Sequence, residues 1–422
     1  MSPRALISIS KRIAGFAVPV AASTVLGIVT IPLLVASLGA AEWGSLAVVQ
    51  ATSQLVGIFV AFGWGATGPS TVASTARQLR PQLYLRSLVA RVYLFVIGVV
   101  AAAVILAFLT RGEIAVSVVG AVTYLLPFLG ASWYFVGESR PWRLFVCDSL
   151  PTLLGTLGGL AAAAATRNLI AFLIVQACGS LVAVIVDAVV VLHGSGATVR
   201  GLARPSSVVS SLGGQRHAVT SALTSGLYVN LPLLSIQTFM PGFVPVYALA
   251  DRFFKYANVA FSPVQQFLQG WVPELGERAS YSRMRHATAA GAGFGLIGGI
   301  LVAVLARPVA WLLSGGEIQV PFSLSIPLGV AFVFVAASAV IGYACLVPVG
   351  RERALAASTV VGACVGAPLI ILFAALHLPA LVAWSVAVSE AVVATYQYAV
   401  LRQELGRRLG AAEPTGEEQS RG

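Results

Sequence analysis

Apolar residues run in blocks of about twenty from Ile13 almost to Leu401, each closed by Gly, Pro or charge. A helical block of that length, rising ~1.5 Å per residue, crosses a ~30 Å hydrocarbon layer. The blocks predict twelve helices, near 13–37, 45–63, 87–110, 114–136, 145–166, 169–193, 217–240, 244–269, 287–306, 324–349, 354–375 and 379–401. The expected class is an all-α polytopic membrane protein. The first block is too long for the ~7–15-residue apolar core of a signal peptide, and further blocks follow at once, so it reads as a retained span. The polar stretch from Gly410 to Gly422 lacks apolar periodicity and reads as a disordered end.

Composition supports this pattern. Of 422 residues, 58% are hydrophobic and 10% charged, against roughly 25% charged in a soluble domain. A soluble enzyme, a disordered chain, a collagen and a disulfide scaffold are excluded. The net charge of +11 is scattered through short loops, which suits membrane topology and anionic lipid headgroups. No basic stripe with interleaved aromatics suggests nucleic acid as a partner. Cys147, Cys178, Cys345 and Cys364 lie in or beside apolar spans without a C-x-x-C pair, and read as small buried hydrophobes.

Charge also orients the spans. With the N-terminus in the cytoplasm, twenty basic residues, Arg140, Arg143, Arg283 and Arg285 among them, fall on the inner side. Arg111, Arg167 and Arg307 fall outside. The positive-inside rule therefore predicts two cytoplasmic termini. Abundant Arg and Ala suggest a bacterial source and hence its plasma membrane.

An internal repeat is legible. At an offset of about 200, Pro32-Leu33-Leu34 falls on Pro232-Leu233-Leu234, and further along Val136–Arg140 resembles Val349–Arg353. Six spans per unit is even, so the repeats are parallel. The expected organisation is an N-lobe over 1–205, a C-lobe over 206–405 and a flexible cytoplasmic tail over 406–422. The Gly- and Ser-rich segment 194–216 is the expected linker, with the two lobes meeting around a central cavity.

Polar residues inside apolar spans are costly unless paired or facing water. In the eighth span Asp251, Lys255, Asn258, Ser262, Gln265 and Gln269 follow steps of three and four, which puts them on one helical face. Gln50 and Gln54 echo that stripe in the second span. Asp251 and Lys255 stand in the favourable acid-first i,i+4 order. Arg252 has no acid three or four positions away on its own helix, and its planar fork suits phosphate. The bland alternative is that it snorkels outward or pairs with an acid of another helix. Arg91 is a weaker cavity candidate, since it can reach back to the interface. Asp187 and Glu390 are further buried acids, and Glu390 either couples an ion or pairs across the bundle. Gly155/Gly159, Gly291/Gly295/Gly299 and Gly362/Gly366 read as close helix packing. No G-x-x-x-x-G-K-[ST], no metal-ligand cluster and no Ser-His-Asp arrangement is present. No cofactor and no catalytic residue is predicted.

Several segments resemble a known family. Leu38-Gly39-Ala40-Ala41-Glu42-Trp43-Gly44 resembles the "LGpeeyG" turn of polysaccharide and O-antigen flippases, within the multidrug/oligosaccharidyl-lipid/polysaccharide (MOP) exporter superfamily. Trp133–Arg140 resembles its "wffqGlek" segment, Val244–Phe253 its "vGlYsaAykl", Val272-Pro273-Glu274 its "lfPr", and Val347–Arg351 its tenth-to-eleventh turn. Pro245 stands where that pattern has glycine, and Asp251 where it has an aromatic.

The resemblance implies a two-lobed, twelve-helix transporter. It would flip a polyprenyl-diphosphate-linked glycan by alternating access, driven by an ion gradient, alongside the glycosyltransferases and polymerase of the same pathway. Its cationic cavity would hold Arg252 and Lys255. The alternatives are an ion-coupled multidrug exporter of the same superfamily and an integral-membrane glycosyl- or acyltransferase. Cationic drugs call for acidic cavity residues, and the first span has no Asp or Glu.

Overall fold

The computed structural model describes residues 3–110, 112–198, 216–272 and 277–410. Among them the chain is all-helical. The long helices are α1 (Pro3–Leu38), α2 (Ala40–Ala61), α3 (Trp64–Ser74), α4 (Arg80–Leu109), α5 (Ile114–Leu125), α6 (Ser132–Gly137), α7 (Leu150–Thr166) and α8 (Leu169–Leu192). They continue as α9 (Arg216–Phe239), α10 (Val244–Trp271), α11 (Glu277–Leu313), α12 (Phe322–Ala339), α13 (Glu352–Ala375) and α14 (Pro379–Gly410).

Among the described residues ten helical stretches are long and apolar enough to cross a membrane. The other two expected spans correspond to α9 and α10, helices of 24 and 28 residues that carry more polar side chains. The outward face of α4 is apolar. Val96, Ile97, Val100, Val104 and Phe108 are all exposed along α4, as expected of a surface surrounded by lipid rather than water.

Two spans depart from straight helices. The second passes through left-handed Phe62 and Gly63 (φ 43° and 78°) and continues as α3 to Ser74, eleven residues beyond its expected end near 63. The fourth breaks between α5 and α6. Pro127 has no N–H to donate, and the chain tightens into a 3-10 turn over Leu126–Leu129 before α6 restarts. A π-helical segment, Leu144–Ser149, leads into α7, and another, Val340–Leu346, extends α12.

The chain divides into two compact units, Met1–Pro245 with Leu312–Ile318, and Val246–Trp311 with Gln319–Gly422. In the first, α2 packs against α4, α5 and α9, and α7 packs along α8. A Cβ on Gly155 would sit 2.7 Å from Gly179 Cα, so the α7–α8 backbones approach as only glycine permits. In the second, α14 packs on α12 and α13, and Gly299 of α11 lies against the Gly329 carbonyl of α12. The 205/206 boundary lies outside the described residues, as does the tail beyond Gly410, and α9 is built into the first unit.

Candidate functional site

α10 starts after a short turn over Pro241–Phe243, with Pro245 in its first turn, where the proline's missing N–H costs nothing. The Pro245 ring in turn requires glycine at position 44, since a Cβ there would fall 2.8 Å from Pro245 Cγ. Gly44 and Pro245, both of the first unit, thus lie in close approach.

The polar stripe of α10 is half-buried along its length. Lys255 Nζ lies 2.8 Å from Asp251 Oδ2, so this pair neutralises itself on the helix. Asn258 Nδ2 donates to Phe254 O at 3.0 Å. Pro263 offers no N–H to the Val259 carbonyl four residues back, and Ser262 Oγ donates to that carbonyl at 2.8 Å. Gln265 continues the same face, and Arg252 flanks it, also half-buried. The stretch 244–271 contains Asp251, Arg252 and Lys255 as its charged residues, so its net charge equals that of one arginine.

Gln50, Gln54 and Arg91 belong to the first unit. Gln50 Nε2 donates to Tyr124 Oη at 2.9 Å, tying α2 to α5, while Gln54 is exposed. Arg91 turns inward rather than reaching back to the interface, with 1% of its surface exposed. Its Nη1 donates to Phe128 O at 2.8 Å and Gly130 O at 2.9 Å, two carbonyls freed by the break in the fourth span. Its guanidinium lies 5.6 Å from the Trp133 ring. From the other side Asp187 Oδ2 accepts the Ala131 N–H at 2.7 Å, and Asp148 Oδ1 and Asp187 Oδ2 stand 2.6 and 3.5 Å from where a Gly130 Cβ would be.

Arg91, Asp148 and Asp187 therefore clasp a broken helix from three different segments. Sequence reading singles out Arg91 and Asp187 separately and passes over Asp148. The available signal was Pro127 and Gly130 interrupting a span at the depth of those three charges. Glu390 is half-buried in α14.

The second half has a neutral counterpart. Gly342, Ser358 and Gln397 lie about 210 positions after Gly130, Asp148 and Asp187. Gln397 Nε2 donates to Ser358 Oγ at 2.9 Å, both residues being buried. Gln397 Oε1 stands 3.3 Å from where a Gly342 Cβ would be, inside the π-helical segment of the tenth span. The turns that follow also correspond. Ser139 and Gly350 are both left-handed, Arg80 and Arg140 pair with Glu138, and Arg351 pairs with Glu404 at 2.6 Å.

No protein-family model and no curated protein matches the sequence. Solved structures do match. One is described as the inward-facing conformation of a multidrug resistance MATE family transporter of the MOP superfamily; it is 12% identical, with a TM-score of 0.55 over 93% of this chain and 96% of that one. Another is the eukaryotic MATE transporter AtDTX14, 13% identical, with a TM-score of 0.50 over 95% of this chain and 98% of that one. At such identities the likeness is one of fold. The chain is an all-α polytopic membrane protein with the fold of MATE transporters of the MOP superfamily.

Proposed function

We propose that the protein is a transporter that flips a polyprenyl-diphosphate-linked oligosaccharide across the membrane by alternating access, with α10 contacting the diphosphate. The carrying observation is Arg252, half-buried beside a self-neutralised Asp251–Lys255 pair on a polar-striped helix. A guanidinium there presents a planar fork of donors suited to phosphate oxygens. Asn258 and Gln265 extend the same face toward the sugar portion as hydrogen-bonding groups. The transporter fold supports this reading, and so do the family-like segments. Gln50, Gln54 and Glu390 stand as second-rank candidates. Arg91 gives Nη1 to two backbone carbonyls, and its contribution is to shape the first unit.

The rival reading is export of cationic drugs, which the words "multidrug resistance" attached to one structural neighbour suggest. The two readings differ in the sign of the cargo. Binding of farnesyl diphosphate and of ethidium to the purified full chain separates them. The expected result is diphosphate binding that Arg252→Ala weakens by about 2–5 kcal/mol, the usual loss for a desolvated charge-assisted contact. Arg252→Lys keeps the charge without the fork and retains part of the affinity. Ethidium binding with no diphosphate binding would replace this proposal with its rival.

A further inference from the structure

α10 has a second stripe. Pro263, Phe267 and Trp271 recur every four residues on the face roughly opposite Asp251, Asn258 and Gln269. His286, Ala290 and Phe294 recur at the same spacing on α11. Together they wall a groove of about 650 Å³ whose lining is almost entirely carbon. Phe267 and Phe294 are 66% and 51% exposed, so the groove opens on the outer surface of its unit, away from the polar stripe. Eight residues from end to end give it a length of ~12 Å along the helices.

One end of the groove is cationic. The Arg283 guanidinium lies 4.7 Å from the Trp271 ring, and its Nη1 donates to the Trp271 carbonyl. His286, which lines the groove, is exposed, and its Nδ1 is engaged by Ser282 O at 2.9 Å. Residues 278–286 contain three arginines, one histidine and no acid. A tryptophan with arginines marks the level of lipid headgroups. A basic rim above an apolar slot matches the two parts of an anionic lipid, phosphate and hydrocarbon tail.

We propose that this groove holds one acyl chain of an anionic bilayer phospholipid, with its phosphate at Arg283. The site lies on the opposite face of α10 from the Asp251–Gln269 stripe and does not depend on the transport reading. It would fasten α10 to α11 with a lipid from the surrounding membrane.

Native mass spectrometry of the detergent-purified full chain, loaded with phosphatidylglycerol or phosphatidylcholine of identical acyl chains, tests this. One phosphatidylglycerol per chain should be retained, with several-fold higher occupancy than phosphatidylcholine. Arg283→Gln should lower phosphatidylglycerol retention roughly fivefold, the factor for one cation lost near an anionic headgroup, while Arg283→Lys should keep most of it. Ala290→Trp fills the slot and should lower retention of both lipids. Ala290→Leu, a smaller plug, should give an intermediate loss, so that a misfolded tryptophan variant does not decide the matter. Equal retention of the two phospholipids would overturn the proposal. So would undiminished phosphatidylglycerol on the two Ala290 variants, or its displacement by equimolar undecaprenyl phosphate, which would give the groove to the transported lipid.

Discussion

Arg91 is held out of solvent by backbone carbonyls, and the reason is the break at Pro127. Freed carbonyls inside a bilayer need donors, and a guanidinium supplies several in one plane. Arg91→Met should therefore cost about 3–5 kcal/mol, the usual loss when one member of a buried charge cluster is removed. Adding Asp187→Asn to Arg91→Met should restore part of it, because one of the two acids left without their cation is removed as well. Gly130→Ala should also destabilise, since the new Cβ would lie 2.6 Å from Asp148 Oδ1 and 3.1 Å from the Pro127 carbonyl. Thermal unfolding midpoints of the detergent-purified variants check the order. The roles of Asp148, Asp187 and Arg91 were hidden in the sequence because a clasp of three segments has no spacing to read. Asp251 and Lys255, four apart on one helix, formed the expected pair at 2.8 Å.

Among elements, close approaches follow the small-residue motifs, but their partners emerge only in three dimensions. Gly155 meets Gly179, and a Cβ on Gly159 or Gly295 would fall 2.9 Å from the Phe172 or the Val333 carbonyl. The motif marks a smooth helix face without naming the neighbour laid on it. Backbone cannot yield as a side chain tip does, so Gly155→Leu should cost at least the ~1–3 kcal/mol typical of overpacking. Gly158→Leu on the same helix meets only Val175 Cγ1 at 3.1 Å and should cost clearly less. The two unfolding midpoints, measured side by side, test whether α7 and α8 are set by backbone contact. The repeat is likewise clearer in the structure. The Gly130–Asp148–Asp187 cluster and the Gly342–Ser358–Gln397 cluster share positions but not charge, so sequence identity alone conceals them.

For the whole molecule, apolar blocks were enough to read the fold class, because each span must satisfy its own backbone within hydrocarbon. The breaks were less legible. The extension of the second span through α3 depends on Phe62 adopting a left-handed conformation, which no hydropathy pattern encodes. Function rests on the cargo's charge, and the most direct measurement is translocation itself. The full chain, reconstituted in liposomes with a fluorescent polyprenyl-diphosphate saccharide, is followed by the loss of fluorescence to a membrane-impermeant reductant. The account predicts that the wild-type chain exposes the inner-leaflet pool, that Arg252→Lys does so more slowly, and that Arg252→Ala matches protein-free vesicles. Wild-type vesicles that move the lipid no faster than protein-free ones, or an Arg252→Ala chain that moves it at the wild-type rate, would contradict it.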